Sequence, residues 1–427
     1  MSVAVQRPPS SLAGAFYDDE DGGVIKNVDW GTATPINSIH EVEIVDHDFG
    51  TAITKRGTKR KSLQAAAEEI PKHQSILQLR ELRQRFAVVE SHPVPEIRNP
   101  EELVVKIQAI GLNPVDWKSV DFAGVVVKAP EDNSDVEIGD IILCPSTDYR
   151  DLRKAAYQQY AIASSFNVCK LPKHISTSQG ASLGVAYVAA TLALGVCLGL
   201  QLPSIGDLEG PDILELVRRT PLGRIPRDVV PECIAIDDKE RPSSGDWIVI
   251  WGGSSTSALF LSQIARLAGL KVILVLDCAK HGNRVQDTSG CICIDSHDSE
   301  RASRVIRGIA GDDLRYGIDT AGKDTAASLA KTLKQEKGGR SHLVGLAALP
   351  KERLDGVVYH NVPVKLFHEV PDIGRAIMAW LEQALISQTL ELPRVDEVAG
   401  GLGGINAALD QMRVGKVSGR RLVVPLS

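Results

Sequence analysis

The chain has 427 residues, of which 43% are hydrophobic and 24% are charged, and these are the proportions of an ordinary globular protein. Its length allows two or three domains with sizeable cores. A formal net charge of −6 excludes the overall basic surface of a nucleic-acid-binding protein, and seven cysteines without a disulfide-framework spacing indicate a reducing compartment.

Residues 1–74 are polar and rich in turn residues, and they lack sustained apolar periodicity. This composition is typical of a disordered extension. Acidic residues at positions 18–21 and the lack of an apolar segment near the start argue against a signal peptide, so we expect a cytoplasmic protein. The basic cluster at residues 55–61 has two interpretations, a nuclear-import or anion-binding patch and an ordinary solvated charge run.

Residues 75–240 alternate short strand patterns with proline-containing loops, which predicts a β-rich domain. The strand patterns lie at residues 76–82, 86–90, 102–110, 121–127, 136–143 and 160–162. Residues 183–200 carry no charge, but their many small side chains favour a helix buried between two domains over a membrane span. Residues 201–242 are rich in proline and in mixed charges, so we predict a surface excursion there.

The next stretch predicts a βαβ unit. Residues 247–251 form a short apolar run suited to a buried strand, and residues 258–268 repeat apolar side chains at helical spacing. Gly269 follows where a helix C-cap glycine belongs, and residues 272–276 form a second buried strand.

The first turn of this unit is a candidate pyrophosphate site. Against the dinucleotide fingerprint Gly-x-Gly-x-x-Gly it offers Gly253, Ser255 and Ala258, and alanine is an accepted variant at the third place. Small residues, hydroxyl donors and the unpaired N–H groups of the following helix all suit a diphosphate. The predicted cofactor-binding residues of the turn are Gly252, Gly253, Ser254, Ser255 and Thr256. A βαβ packing unit without a ligand is the alternative.

Residues after the second strand bear on the choice of dinucleotide. Asp277 lies 24 residues after Gly253, about where the ribose-binding acid is expected, and an acid there suits NAD. The basic cluster of Lys280, His281 and Arg284 suits the 2′-phosphate of NADP instead. These residues leave both NADPH and NADH open.

Three further strands are predicted at residues 291–295, 316–319 and 342–346. Val344, Gly345 and Leu346 end one of them at the carboxyl edge of the sheet, where backbone contacts to nicotinamide and ribose are expected. The last part of the chain predicts an edge strand at residues 362–369 and amphipathic helices at residues 373–385 and 405–412.

Two motifs near the ends of this region carry a family resemblance. They are Gly-Leu-Asn-Pro-Val-Asp-Trp-Lys at residues 111–118 and Val-Gly-Lys-Val-Ser-Gly-Arg-Arg-Leu-Val-Val-Pro at residues 414–425. With the glycine-containing turn between them, the chain resembles the medium-chain dehydrogenase/reductase superfamily over about residues 75–427. Within it, the chain is most similar to zinc-independent quinone reductases and fungal trans-acting enoyl reductases.

The resemblance implies an α/β fold with two lobes. A GroES-like β-rich catalytic domain would span residues 75–240, including the 201–242 insertion, and a doubly wound Rossmann domain would span residues 243–360. Residues 361–427 would return to complete the catalytic domain.

The resemblance also implies site residues. Asn113, Asp116 and Lys118 would line the nicotinamide side of the cleft, with Lys118 as the catalytic cation. Val417 and Ser418 would close the cleft, and Tyr149, Arg150 and Tyr187 would lie near the substrate. Asn113 stands where metal-binding relatives have a cysteine, and the cysteines lack the spacing of a structural zinc site, so we expect no metal site.

The activity implied is NADPH-dependent reduction of an activated C=C bond in an enone, a quinone or an enoyl thioester. The expected partner is a small-molecule or carrier-bound acyl substrate, supplied by a polyketide synthase of fungal secondary metabolism. The chain itself is expected to be a monomer or a homodimer. Two alternatives stay open: a zinc-free alcohol or carbonyl dehydrogenase, and an inactive cofactor-binding or partner-binding protein. Two features support the second alternative. Members of the family that the chain resembles have a longer segment between the residues matching Lys118 and Asp121, and this chain begins with a long extension that carries a basic cluster.

Overall fold

The computed structural model describes residues 69–80, 84–113, 120–131, 135–148, 150–335 and 340–426, with only the backbone described over residues 284–289. The predicted extension falls almost wholly outside the described residues, as do three predicted site residues, Asp116, Lys118 and Tyr149. The elements below belong to one unit of the chain that includes Pro71–Ser427.

The strands of the described residues form two large sheets and one hairpin. In chain order they are β1 (His73–Gln78), β2 (Ala87–Pro93), β3 (Glu102–Gly111), β4 (Val120–Lys128), β5 (Ile141–Ser146), β6 (Tyr160–Ser164), β7 (Cys169–Lys170), β8 (Trp247–Trp251), β9 (Lys271–Leu276), β10 (Ile292–Asp295), β11 (Tyr316–Asp319), β12 (Ser341–Gly345), β13 (Val357–Asn361), β14 (Val395–Glu397) and β15 (Arg421–Pro425).

The helices lie mostly in the second half of the chain. They are α1 (Thr177–Ala181), α2 (Gly184–Leu192), α3 (Ile213–Arg219), α4 (Val230–Cys233), α5 (Thr256–Leu267), α6 (Cys278–Ser289), α7 (Ser299–Ala310), α8 (Lys323–Ala330), α9 (Lys365–Glu369), α10 (Pro371–Ile386) and α11 (Gly401–Arg413).

The first large sheet is mostly antiparallel and combines both ends of the described chain. Its order is β14-β15-β3-β4-β5-β7, with β6 also paired to β3. β15 therefore lies between β14 and β3, in parallel with β14 and antiparallel to β3. The sheet packs around buried side chains such as Leu103, Phe122 and Ile142. This is the β-rich lobe, and it is complete only when β15 has joined it.

The second large sheet is fully parallel. Its order is β10-β9-β8-β11-β12-β13, which is the doubly wound order 3-2-1-4-5-6 of a Rossmann sheet. β8 and β9 carry uninterrupted apolar runs because both faces of this sheet are covered by helices. The predicted βαβ unit is confirmed, and Gly269 ends its helix with φ +86°.

The predicted buried helix is also confirmed. α2 continues into a π-helical turn at Ala193–Cys197, and nearly all of its residues are buried in the core between the two sheets. Small side chains allow α2 to pack closely on α5. Among the described residues, no helix is long and apolar enough to cross a membrane.

The edge strand predicted at residues 362–369 is wrong. β13 ends at Asn361, and residues 365–369 form the short helix α9. Pro363 has no N–H for a sheet ladder, which stops the strand. Leu366 and Phe367 are fully buried on the helix, so burial follows a helical turn and not a strand alternation.

The surface excursion predicted at residues 201–242 is wrong as well. Ile213, Leu214 and Val217 of α3 are buried in the same core cluster as α2. The high proline content concealed this helical spacing. β10, predicted at residues 291–295, is an edge strand, and Ile292 is 38% exposed. The helices α10 and α11 match their predictions.

Candidate cofactor cleft

The turn between β8 and α5 lies close against the sheet because two glycines form it. Gly252 has φ +83°, and a Cβ there would lie 2.3 Å from Thr320 Oγ1. A Cβ on Gly253 would lie 3.0 Å from the Leu274 Cβ. Any larger residue would push the turn away from β9 and β11, so the turn has the close backbone approach that a pyrophosphate site requires.

The hydroxyl groups at the turn are engaged within the protein. Ser255 is the N-cap of α5, and its Oγ accepts a hydrogen bond of 3.1 Å from the Ala258 N–H. The same Oγ lies 3.0 Å from Thr320 Oγ1, which is itself 3.0 Å from the Gly252 carbonyl oxygen. The N–H groups of the first turn of α5, at Thr256 and Ser257, have no helical acceptor and remain the donors suited to an anion.

Asp277 follows β9 and begins α6. Its Oδ1 accepts a 2.9 Å hydrogen bond from the Lys280 N–H, so the carboxylate is the N-cap of that helix. Its Oδ2 lies 3.7 Å from His297 Nε2. Lys280 is exposed, while the side chain of Arg284 lies outside the described residues. One carboxylate oxygen of Asp277 is therefore already bound to the backbone of α6. The contact of Asp277 with a ribose stays a prediction.

The fold brings together two sets of predicted cofactor residues from distant parts of the chain. His281 on α6 is buried, and its Nε2 lies 2.9 Å from Ser418 Oγ. Val417 and Ser418 lie shortly before β15 of the other sheet, which begins at Arg421. The hydrogen bond therefore links the parallel sheet to the β-rich lobe at the edge where a dinucleotide is expected.

The tips of β11 and β12 complete the carboxyl edge of the parallel sheet. The Leu346 N–H donates to the Asp319 carbonyl oxygen at 2.8 Å, so Val344, Gly345 and Leu346 follow the β11 tip closely. Asp319 is fully buried, and its Oδ1 accepts from the N–H groups of Ala321 and Gly322. Burial raises the pKa of Asp319 to about 6 against these hydrogen bonds. The carboxylate holds the turn rigid behind the cleft.

Asn113 is held in a buried ion-pair network that the sequence did not predict. Arg421 donates to Asn113 Oδ1 at 2.6 Å and to Asp121 Oδ2 at 2.8 Å. The Asn113 amide also donates to Asp121, and Asp121 Oδ1 accepts from the Val185 N–H at 2.6 Å. Burial raises the pKa of Asp121 to about 6, while Arg421 opposes that rise. The network fixes the point where the chain enters the loop that carries Asp116 and Lys118.

A small pocket opens at the end of β5. It is lined in part by Thr147, Asp148, Lys154, Asn167 and His368. Burial lowers the pKa of His368 to about 4, so its imidazole is neutral at neutral pH, and its Nδ1 lies 2.9 Å from Thr147 Oγ1.

Arg150 lies at the rim of this pocket. It pairs with Asp148 at 3.0 Å and with Glu369 at 2.9 Å. The predicted substrate role of Arg150 stays a prediction. The sequence patterns did not identify His368 as a residue of this pocket, because it lies on α9, where a strand was expected.

Tyr187 lies in the core between three helices. Its side chain is fully buried, and its hydroxyl donates to the Ile377 carbonyl oxygen at 3.0 Å. Its ring stacks on Trp380 and meets Phe260 edge-on, with centroids 6.2 and 5.6 Å away. Tyr187 therefore packs between α2, α5 and α10, and its substrate role stays a prediction.

Two groups of side chains in the described part of the chain have the composition of metal ligands. Asp277, Asp295 and His297 form an exposed group, and Cys197, Glu232 and His360 form a buried one. Neither includes Asn113. The expectation that the chain has no metal site stays a prediction.

Comparison with known proteins found named relatives that are similar in sequence. No family model matches the chain. The trans-enoyl reductase BOA5 of Botryotinia fuckeliana is 26% identical over 372 residues, and the match covers 79% of this chain and 95% of that protein. A zinc-type alcohol dehydrogenase-like protein of Schizosaccharomyces pombe is 23% identical over 374 residues, with 79% and 95% covered.

Solved structures show the same fold. An alcohol dehydrogenase superfamily protein from Novosphingobium aromaticivorans superposes with a TM-score of 0.62 at 18% identity, covering 83% of this chain and 100% of that one. The mycobacterial protein Rv1454c, solved with NADPH, has a TM-score of 0.59 at 16% identity, with 83% and 99% covered. CurK enoyl reductase has a TM-score of 0.60 at 14% identity, with 82% and 99% covered.

The two sheets have the fold of these solved structures, with a GroES-like β-rich lobe and a Rossmann lobe. Several of the similar proteins are oxidoreductases by name. In sequence the chain is similar to fungal trans-enoyl reductases, and in fold it is similar to an alcohol dehydrogenase superfamily protein and to a quinone oxidoreductase.

Proposed function

We propose that this chain is an NADPH-dependent oxidoreductase that reduces the activated C=C bond of an enoyl thioester, an enone or a quinone. The observation that carries the proposal is the carboxyl edge of the parallel sheet, where the glycine turn follows β8 and where His281 of α6, which follows β9, contacts Ser418 of the β-rich lobe. Relatives named trans-enoyl reductases support the choice of reaction, because several of them match 77–84% of this chain.

The residues at this edge fit a dinucleotide. The turn at Gly252 and Gly253 permits close backbone approach, and the first N–H groups of α5 would hold the pyrophosphate. Lys280 is exposed beside Asp277 and would favour the 2′-phosphate of NADPH over NADH. The tips of β11 and β12, with Val417 and Ser418, would form the nicotinamide end.

The remaining chemistry falls to positioning and charge. Bound NADPH would supply hydride to the β-carbon of the acceptor. Lys118 would lower the energy of negative charge that develops on the acceptor carbonyl oxygen, and the network of Asn113, Asp121 and Arg421 would fix the start of its loop. We expect solvent to protonate the α-carbon.

The proposal extends to organisation and setting. The catalytic domain would comprise residues 75–240 and 361–427, and the cofactor domain residues 243–360. The chain would act in the cytoplasm as a monomer or homodimer. Its substrate would be an acyl group held on a carrier, delivered by a polyketide synthase of fungal secondary metabolism. The similarity to fungal proteins named trans-enoyl reductases supports this proposal.

The first test is a fluorescence titration of the full chain with NADPH and with NADH. We expect saturable binding of both, with NADPH tighter, followed by oxidation of NADPH in the presence of enoyl thioesters. Binding of neither cofactor would overturn the proposal in favour of an inactive partner-binding protein. Turnover of alcohols with NADP but of no enoyl acceptor would favour the alcohol dehydrogenase alternative.

The second test concerns Lys118. Lys118→Ala removes the charge expected at the acceptor oxygen, and we expect kcat/KM to fall by a factor that corresponds to about 1.5 to 3 kcal/mol. Lys239→Ala is the matched control, because Lys239 is exposed near the amino end of β11 at the opposite edge of the sheet. Equal kinetics of both variants would remove Lys118 from the mechanism.

A further inference from the structure

Two buried imidazoles lie in a row between two carboxylates, away from the cofactor turn. His360 Nδ1 lies 3.0 Å from Glu232 Oε2, and His360 Nε2 lies 2.9 Å from His342 Nδ1. His342 Nε2 in turn lies 3.5 Å from Glu240 Oε2. Both histidine side chains are fully buried on the neighbouring strands β12 and β13, and both acids come from residues 201–242.

This row lacks one hydrogen. Its three gaps each need one N–H, because the carboxylates at the two ends can only accept. Two neutral imidazoles carry two N–H groups between them, so in one of the three gaps lone pair faces lone pair, either between a ring nitrogen and a carboxylate oxygen or between the two rings. A cation placed at one end would supply the missing positive charge.

A third donor atom marks the end at which a cation fits. The Sγ of Cys197, the Nδ1 of His360 and a carboxylate oxygen of Glu232 all lie within 4.8 Å of one another. Cys197 is fully buried at the end of the π-helical turn that follows α2. Sulfur, imidazole nitrogen and carboxylate oxygen together form a donor set that suits Zn²⁺.

We propose that Cys197, Glu232 and His360 bind a zinc ion that fastens residues 201–242 to the edge of the parallel sheet. With Zn–N of about 2.0 Å and Zn–S of about 2.3 Å, a tetrahedral site spaces its donor atoms by about 3.3 to 3.5 Å. The nitrogen and oxygen are already 3.0 Å apart. A thiolate and a carboxylate would balance the charge of the ion, which makes the buried site neutral.

The neighbouring groups fit this assignment. The Asn361 N–H donates to Glu232 Oε1 at 2.8 Å, which orients the other oxygen, and the Asn361 carbonyl oxygen lies 3.7 Å from Cys197 Sγ beside a fourth position. With the ion on His360 Nδ1, its Nε2–H donates to His342 Nδ1. His342 Nε2 makes no hydrogen bond with the described residues but lies 3.5 Å from Glu240 Oε2. With this arrangement, the N–H of His342 would point to Glu240. Such carboxylate–histidine contacts orient metal ligands.

This site is separate from the cofactor cleft, where we expect no zinc. Its ligands are far apart in sequence, at positions 197, 232 and 360, and meet only through the fold. Our sequence-based expectation of no metal rested on ligand spacing, and spacing carries no information about such a group. The proposed ion is structural, and it does not depend on the proposed reduction.

The test is a titration of the reduced, chelator-treated full chain with Co²⁺, followed by competition with Zn²⁺. We expect one Co²⁺ per chain, a thiolate-to-cobalt charge-transfer band, and displacement of Co²⁺ by Zn²⁺ at sub-micromolar concentration. Cys197→Ser should lose the band, and Cys169→Ser should keep it. Cys169 is the matched control because it is equally buried but lies outside the group.

Two further variants guard against misfolding. Glu232→Gln keeps the side-chain shape and should weaken Co²⁺ binding at least about tenfold, and His342→Asn should weaken it by about 10- to 100-fold while the band stays. Chelation should lower the melting temperature of the wild type, and Zn²⁺ should restore it. Absence of stoichiometric Co²⁺ binding, or a band that persists in Cys197→Ser, would overturn the proposal and favour an imidazolium between the two acids.

Discussion

Replacement of Arg421 by methionine tests the buried network at the entrance to the Lys118 loop. The Arg421 and Asp121 side chains are 6% and 0% exposed, and their closest atoms are 2.8 Å apart. Methionine fills much of the space but leaves the Asp121 carboxylate with only the Val185 N–H and the Asn113 amide. Removal of one partner from a buried pair costs about 3 to 5 kcal/mol, and we expect a loss of that size in the unfolding free energy near pH 8.

The loss should depend on pH with a definite sign. Burial raises the pKa of Asp121 to about 6, and Arg421 is the largest influence that lowers it. Without the arginine, the folded-state pKa rises further above the unfolded value. A raised carboxyl pKa gives stability that is present below the unfolded pKa and is lost as pH rises through the folded pKa. The deficit of Arg421→Met relative to wild type should therefore grow as pH rises above about 6.

Urea unfolding near pH 5.5 and near pH 8 measures both effects. Arg420→Met is the matched control, because Arg420 is 52% exposed and pairs with Asp396 at the surface, where a pair contributes at most about 1 kcal/mol. The double variant with Asp121→Asn should recover part of the loss, since it leaves no uncompensated charge. A cost for Arg421→Met no larger than that for Arg420→Met, or one independent of pH, would refute the reasoning.

Two other perturbations follow from the cleft. Asp319→Asn should flatten the dependence of the unfolding free energy on pH. Burial raises the pKa of Asp319 from 3.8 to about 6, so the wild type should lose about 3 kcal/mol of stability as pH rises from about 4 through 6. Parallel pH profiles of the two proteins in urea unfolding would contradict this. Gly252→Ala should lower the unfolding free energy by about 1 to 3 kcal/mol and weaken NADPH binding. Gly223→Ala, at a site with open space around the added Cβ, should do neither. Unchanged NADPH affinity in Gly252→Ala would place the cofactor elsewhere.

Sequence patterns predicted the elements whose burial follows one simple period. The apolar run of β8, the small-residue helix α2 and the apolar stripe of α10 all appear as expected. The segment 362–369 failed because its two valines favour a strand locally, while Pro363 and the core contacts of Leu366 and Phe367 decide the outcome. Tertiary packing overrides propensity in so short a segment.

The site was predictable only where it follows a local motif. The turn at Gly252 and Gly253 has a recognisable spacing, and the fold confirms its position at the carboxyl edge of the sheet. The pair of Asp121 and Arg421 joins residues 300 positions apart, so no spacing rule could reveal it. The full burial of Tyr187 was not predictable, because a core aromatic side chain and one that lines a pocket carry the same sequence pattern.

The position of β15 inside the first sheet has a consequence for synthesis of the chain. Arg421 contacts Asn113 across 308 positions, so β3 must wait for a strand that emerges about 15 to 60 s later at ordinary translation rates. The parallel sheet has all its strands by Asn361 and can form first. Until Arg421 arrives, a packed β4 would hold the Asp121 carboxylate without its counter-ion. Early closure of the β-rich lobe is thereby disfavoured, and the last strand to be made decides when that lobe closes.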